Sequence, residues 1–499
     1  MSNAAVSLYR SILKGTVLFG GTQMVSIVAN VLRGKMVAVL LCTAGLGVSS
    51  LYMSSLMPLQ QFFAMGMPIA VVSAIAAIAA DDDTGRTEVS RQITAFRRCL
   101  LVLALTGALF LLVTSSVMSR LTFEDNAHTT GYMLLSVALF LFIMESGETA
   151  LLQARRKMKQ VAMRNVVNAL AGLFVGVPFY WFMGVDGIVP AIIASIFVVW
   201  GYSRFQTRRL QQDAAPPRLS WGETWTLGRG IIALGFFMML AALLGNLTNY
   251  AINASIRHFG SESDVGLYSA ATSITSQYVG LVFAAMATDY YPRLSSLTES
   301  LSDVRRLVRQ ELELVVLIVT PLVALLVVTA PLLIRILLTE EFLPLTGVVR
   351  LTGLAIVCKA ACFPLDYVAL AYGRKNYFFW MEGVWCNAKT LVFIVGGYWL
   401  WGIVGIGWAT LASGLVDVVV TTFMTHYVFR INAWRLQLRV FLPLMLTSSL
   451  CVALSFGESV WTSIVGMTVC AAVLSAVCLW LLIRRIDLKE WWRNRKQSN

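Results

Sequence analysis

Residues 99–119 read CLLVLALTGALFLLVTSSVMS, a run without Asp, Glu, Lys or Arg, closed by Arg97-Arg98 on one side and Arg120 on the other. A helix rises about 1.5 Å per residue, so about 20 apolar residues cover the hydrocarbon of a bilayer. The run therefore predicts a spanning helix. Working outward at the same scale, the chain offers further spans at 14–34, 47–78, 132–153, 163–184, 187–205, 230–256, 266–290, 311–337, 348–372, 377–400, 402–428, 438–456 and 460–483. The 47–78 run is long enough to tilt or to break near Pro58 or Pro68. The expectation is an all-α polytopic membrane protein of about 14 transmembrane helices, with no room for a folded soluble domain.

Composition agrees. The 499 residues are 58% hydrophobic and only 13% charged, where a soluble domain is about a quarter charged. Such a chain cannot coat a water-facing surface. Its net charge of +13 sits in short clusters between apolar runs instead of on one soluble face, which argues against nucleic acid as a partner. Cys99, Cys358, Cys362, Cys386, Cys451, Cys470 and Cys478 lie inside apolar segments with no CxxC pattern, so neither a disulfide framework nor a metal site is expected. The first apolar run, flanked by Arg10 and Lys14, reads as a retained helix and not a cleaved signal.

Basic residues orient the chain. With the N-terminus inside and the spans alternating, 31 Lys and Arg fall on the cytoplasmic side and six outside: Arg33, Lys35, Arg120, Arg257, Arg335 and Arg350. Lys359 and Lys389 lie within spans. This bias predicts cytoplasmic N- and C-termini in a bacterial inner membrane.

The sequence also repeats. Residues 155–169, RRKMKQVAMRNVVNA, and 374–388, RKNYFFWMEGVWCNA, both open on a basic pair and reach Asn-Ala at one offset, Asn168-Ala169 against Asn387-Ala388. Gly187-Ile188-Val189 is echoed by Gly402-Ile403-Val404, and Gly45-Leu46-Gly47 more loosely by Val265-Gly266-Leu267. Transporter folds commonly carry such repeats. The expected organisation is a six-helix lobe at 1–205, a cytoplasmic linker at 206–229 containing Pro216-Pro217, a second six-helix lobe at 230–428, and a helix pair with a basic tail at 429–499.

The stretch 36–72, MVAVLLCTAGLGVSSLYMSSLMPLQQFFAMGMPIAVV, resembles the first loop and second helix of the polysaccharide flippases of the multidrug/oligosaccharidyl-lipid/polysaccharide exporter superfamily. The stretch 264–297, DVGLYSAATSITSQYVGLVFAAMATDYYPRLSSL, resembles the start of the second lobe in that group, and TAPLLIRILLTEEFLP at 329–344 adds a third likeness. Together they cover about residues 10–430. The resemblance implies two pseudo-symmetric six-helix lobes around a central cavity, alternating access, and export of an undecaprenyl-diphosphate-linked oligosaccharide for O-antigen, capsule or a similar glycan. Membrane lipids, a glycan polymerase and glycosyltransferases are the partners it implies, and a coupling Na⁺ or H⁺, as in an antiporter, takes the place of a cofactor.

Ionisable groups inside spans are costly and therefore face a cavity or a partner. Lys359 and Lys389 are expected to line the cavity and attract a diphosphate or acidic sugar as point charges. The plain alternative is an ion pair, for which Asp366 lies seven residues after Lys359 on the same helical face. Arg33, Lys35 and Arg257 run against the positive-inside trend and form either an anion funnel or a solvated outer rim. Glu145 and Glu148, three residues apart on one face, either share a proton or Na⁺ or are neutralised by Arg155 and Arg156. Asp417 is another candidate coupling carboxylate. Asn246, Asn249 and Asn253 give one helix a polar stripe, either a cavity wall or interhelical glue. The Trp-rich tail, Trp491-Trp492-Arg493, reads as a surface anchor, Asp81-Asp82-Asp83 as a solvated loop, and His128, His258 and His426 show no metal spacing.

A peptidoglycan-precursor (lipid II) flippase has the same expected architecture and a cationic cavity. A multidrug exporter would have an aromatic, acidic cavity, and Lys359 and Lys389 argue against it. A membrane-embedded glycan polymerase or ligase ranks last, because the outer loop around 120–131 offers only Glu124, Asp125 and His128. The chain is not expected to be an enzyme.

Overall fold

Backbone N–H and C=O groups find no partner in hydrocarbon, so long apolar runs satisfy them internally as helices. The computed structural model describes residues 3–76, 78, 83–209, 219–454 and 460–485, and among them every regular element is helical. Residues 210–218 of the expected linker with Pro216-Pro217, Asp81-Asp82, and the Trp491-Trp492-Arg493 tail lie outside the described residues. In chain order the helices are α1 (Asn3–Ala64), α2 (Met67–Ala76), α3 (Asp83–Val113), α4 (Ser115–Phe123), α5 (Thr129–Ala154), α6 (Met158–Ala171), α7 (Val177–Met183), α8 (Ile188–Arg209) and α9 (Trp221–Phe259). They continue with α10 (Glu262–Ser296), α11 (Leu301–Leu337), α12 (Thr346–Ala371), α13 (Lys375–Phe378), α14 (Cys386–Phe429), α15 (Trp434–Leu436), α16 (Leu442–Ala453) and α17 (Val460–Arg485). π-Helical turns at Gly172–Gly176, Phe379–Trp385 and Gln437–Phe441 join α6 to α7, α13 to α14 and α15 to α16.

Three reversals share one backbone geometry. Cys42 (φ 58, ψ −165) divides α1, Gly184 (φ 57, ψ −131) separates α7 from α8, and Gly402 (φ 60, ψ −146) divides α14. Among the described residues, nine helical runs are long and apolar enough to cross a membrane, and Met24–Ala64, Met158–Arg209 and Asn376–Phe429 each contain one of these reversals. Counting both arms of each, and the 39- and 35-residue helices α9 and α10, the chain makes the fourteen passes read from its sequence. It is a multi-pass membrane protein. The long second span breaks at Met65-Gly66, both with positive φ, just ahead of Pro68, while Pro58 stays inside its helix.

The repeat is visible as contact. A Cβ on Gly47 would stand 1.8 Å from the Glu262 carbonyl oxygen, and one on Gly266 would stand 2.0 Å from that of Thr43. Both pairs are related by the same 219-residue offset, so the crossing is two-fold symmetric and closes only because neither position has a side chain. The structure also adjusts the alignment: the backbone counterpart of Gly402 is Gly184, and Gly187 lies three residues further on.

By packing the chain divides into two units, Met1–Gly266 with Leu337–Thr339, and Leu267–Ile336 with Glu340–Asn499. The division falls after α9, the helix with which the repeat opens its second half. In the first unit α5 packs on α3 and α8, and α1 runs along α6 and α9. In the second, α11 presents Leu312, Val316, Val319, Val323 and Val327 at three- and four-residue spacing to a core shared with Leu354, Val357 and Ala361 of α12. Leu444 and Cys451 of α16 and Leu474 and Cys478 of α17 complete that core.

Candidate functional site

Within the second unit, α10, α12, the Phe379–Trp385 turn and α14 line a cavity of about 480 Å³. Its walls are mostly apolar or hydroxylic, but Lys359, Asp366, Glu382 and Asp417 all reach it. Seven residues separate Lys359 from Asp366, two turns of α12, so one face presents both. The exposed Lys359 ammonium lies 5.8 Å from the centre of the Phe283 ring, in reach of its π face.

Asp366 of α12 and Glu382 of the Phe379–Trp385 turn both line this cavity. Glu382 is the site residue that the sequence reading passed over. It sits in a π-helical turn, which widens the helix by one residue and is frequent at functional sites. Asn387 Nδ2 donates to the carbonyls of Gly383 at 2.7 Å and Glu382 at 3.3 Å, which steadies the widened turn. The signal was present in the repeat: Glu382 stands where the first copy has Met163.

Lys389 does not line this cavity. It is buried, with its side chain 2% exposed, and pairs with Asp417, whose side chain is 29% exposed. Lys389 Nζ also donates to the Ser413 carbonyl at 3.2 Å. Of the two lysines expected together, Lys359 faces the void, and Lys389 holds a carboxylate at its edge. The partner is Asp417, not Asp366.

The first unit treats its carboxylates differently. Glu145 accepts from Arg164 Nε and Thr149 Oγ1, both at 2.7 Å. Glu148, with its side chain 1% exposed, accepts from Arg97 Nη2 and Arg204 Nη1, both at 2.7 Å, and from Thr207. The two sit in a network of guanidinium groups from α3, α6 and α8, and that network offsets their mutual repulsion. Arg257 pairs with Glu262 at 3.5 Å and donates to the Phe123 carbonyl at 3.4 Å. Lys35 donates to the Leu338 carbonyl, and half-buried Arg33 lies against Gly172. Asn253 is buried and donates to the Oδ1 and carbonyl of Asn249, at 2.7 and 2.9 Å, while Asn246 is half-buried. The stripe is therefore bonded partly along its own helix.

Three solved structures share the fold. The lipid II flippase MurJ in an inward closed conformation matches with a TM-score of 0.69 and 10% identity, covering 94% of this chain and 99% of that one. An inward-facing MATE family multidrug resistance transporter of the MOP superfamily matches with a TM-score of 0.64 and 15% identity, covering 82% and 96%. A MOP superfamily transporter from Pyrococcus furiosus, whose binding pocket is described as having reverse polarity, matches at 0.56 with 13% identity, covering 82% and 94%. No curated protein matches the chain. The model of the polysaccharide biosynthesis protein family matches residues 78–347, over half of the chain. The chain belongs to the polysaccharide biosynthesis protein family.

Proposed function

We propose that the protein is a flippase, not an enzyme, that carries an undecaprenyl-diphosphate-linked oligosaccharide from the cytoplasmic to the periplasmic leaflet of a bacterial inner membrane by alternating access. One observation supports the reading above others: Lys359 faces a cavity that the carboxyl groups of Asp366 and Glu382 also line. A lysine ammonium in a medium of low dielectric attracts a diphosphate strongly. In this reading a proton taken up by Asp366 or Glu382 removes one negative charge beside that ammonium, so proton occupancy and anion affinity are linked. The coupling ion in this reading is H⁺, and the carboxyls that carry it are Asp366 and Glu382. The funnel role of Arg33, Lys35 and Arg257 belongs to the same proposal, although the acceptors that Lys35 and Arg257 already hold compete with a ligand.

The lipid II reading is the second choice, favoured by the reach of the MurJ likeness over 94% of the chain. The test is flipping of a fluorescent undecaprenyl-diphosphate glycan in proteoliposomes, with lipid II assayed in parallel. Lys359→Ala is expected to abolish flipping with membrane insertion intact, and collapse of the proton gradient to stop it in the wild type. Full flipping by Lys359→Ala would remove the cavity assignment. Preference for lipid II would select the second reading.

A further inference from the structure

The second unit has another cavity, of about 540 Å³, lined by α11, the chain after α14, the Gln437–Phe441 turn, α16 and α17. Arg309, Arg435 and Arg439 reach it, and Glu313 is its one acidic lining residue. Three guanidinium groups against one carboxylate leave a net charge of about +2. The rest of the lining includes Leu317, Leu444, Val477 and Leu481. We infer that this cavity binds the phosphate headgroup of an anionic bilayer phospholipid, with the start of an acyl chain on the apolar side.

The arginines are presented by a built support. Arg305 Nε and Nη2 donate to the Arg430 carbonyl at 3.1 and 2.6 Å, which ties the chain after α14 to α11. The Trp434 N–H donates to Asn432 Oδ1 at 3.2 Å and starts α15. The buried Gln437 Nε2 donates to the Ala361 carbonyl at 3.2 Å and to Thr422 Oγ1 at 3.4 Å, anchoring the π-helical turn to the core. With Gln437 turned inward, Arg435 and Arg439 are left exposed on either side of it.

The combination of charge and apolar wall selects the ligand. Guanidinium groups recognise phosphate oxygens through charge-assisted, often bidentate hydrogen bonds. A free anion would gain nothing from leucine and valine. Leu446 and Leu450 of α16 and Val473 and Trp480 of α17 are exposed apolar residues on the same two helices. Basic pockets between helices at the cytoplasmic membrane surface are where anionic headgroups bind, and the charge bias of the chain assigns this end to that surface. A lipid seated here bridges α11 to α16 and α17, and so holds the C-terminal helix pair to the unit.

The test uses the full-length protein in a neutral detergent, titrated with phosphatidylglycerol, with phosphatidylcholine of the same chains, and with inorganic diphosphate. Native mass spectrometry and the thermal midpoint are the readouts. Phosphatidylglycerol is expected to be retained and to raise the midpoint saturably, phosphatidylcholine to do neither, and diphosphate to fail to displace the lipid at equal concentration. The Arg309→Gln/Arg435→Gln/Arg439→Gln variant should bind phosphatidylglycerol at least tenfold more weakly. If that variant does not fold, Arg439→Gln alone should lose affinity several-fold, with part of it regained in Arg439→Lys. Equal retention of both lipids, displacement by diphosphate, or unchanged affinity in the variants would overturn the inference.

Discussion

The buried pair of Lys389 and Asp417 makes an asymmetric prediction. Removing one partner of a buried ion pair costs about 3–5 kcal/mol, because the other charge is left unpaired. Lys389→Met strands Asp417, but that side chain is 29% exposed at the cavity, so water there reduces the cost to about 2 kcal/mol. Asp417→Asn strands an ammonium whose side chain is 2% exposed and whose other acceptor is the Ser413 carbonyl. That cost should stay near the lower bound, about 3 kcal/mol. The double variant removes both charges and should cost about 2 kcal/mol, giving a coupling of about 3 kcal/mol. Denaturant unfolding in detergent micelles, followed by tryptophan fluorescence, measures the cycle. Additive costs, or Asp417→Asn milder than Lys389→Met, would refute the reasoning. Flipping separates the lysines as well: the loss in Lys389→Met should be recovered in the double variant, while the loss in Lys359→Ala occurs in a fully stable protein.

Gly47→Ala and Gly266→Ala each place a methyl about 2 Å from a carbonyl oxygen and should each cost about 3 kcal/mol; equal drops in thermal midpoint, less than additive together, are expected from a symmetric crossing. Cys42→Gly should stabilise. The present residue occupies a conformation reserved for glycine at a cost of about 1–3 kcal/mol, and the greater freedom of unfolded glycine returns about 0.5–1 kcal/mol of it, so the midpoint should rise for a net gain of about 1 kcal/mol. At the start of α9, Ser220 and Glu223 form a reciprocal capping box. Ser220→Ala should cost about 1 kcal/mol locally, read as faster amide exchange at residues 221–224. The hydrogen bond donated by the Ser220 backbone N–H at 2.8 Å holds the Glu223 carboxyl below its ordinary value of 4.5. That support is full above pH 4.5 and is lost as pH falls through the lowered value, so protection of those amides should decline on acidification.

The number of passes was legible because apolar length in a bilayer admits one element, and the repeat was legible because Gly47 and Gly266 must both lack a side chain where they meet. The partners of the ionisable groups were not. Arg97 and Arg204 reach Glu148 across 51 and 56 residues, distances at which helical periodicity carries no information. Glu382 escaped because a π-helical turn shifts the register on which facing is judged. Cys42 escaped because nothing in its residue type announces a positive φ.

The repeat itself gives the stronger criterion for which charges carry function. At the 219-residue offset, the first-half counterparts of Lys359, Asp366, Glu382 and Lys389 are Phe140, Gly147, Met163 and Leu170, and at the 218-residue offset set by Gly184 and Gly402 that of Asp417 is Val199. In the other direction, the counterparts of Glu145, Glu148 and Arg164 are Pro364, Tyr367 and Gly383, and that of Arg204, after the Gly184 reversal, is Thr422. Each half therefore folds the same helices without the charged set of the other, so neither set is required by the helical repeat. Buried charge that a fold does not require is retained against its desolvation cost. In the first unit that charge is consumed by its own guanidinium partners. In the second, Lys359, Asp366 and Glu382 remain at the wall of an open cavity, and the proposal of anion binding in the second unit rests on that charge.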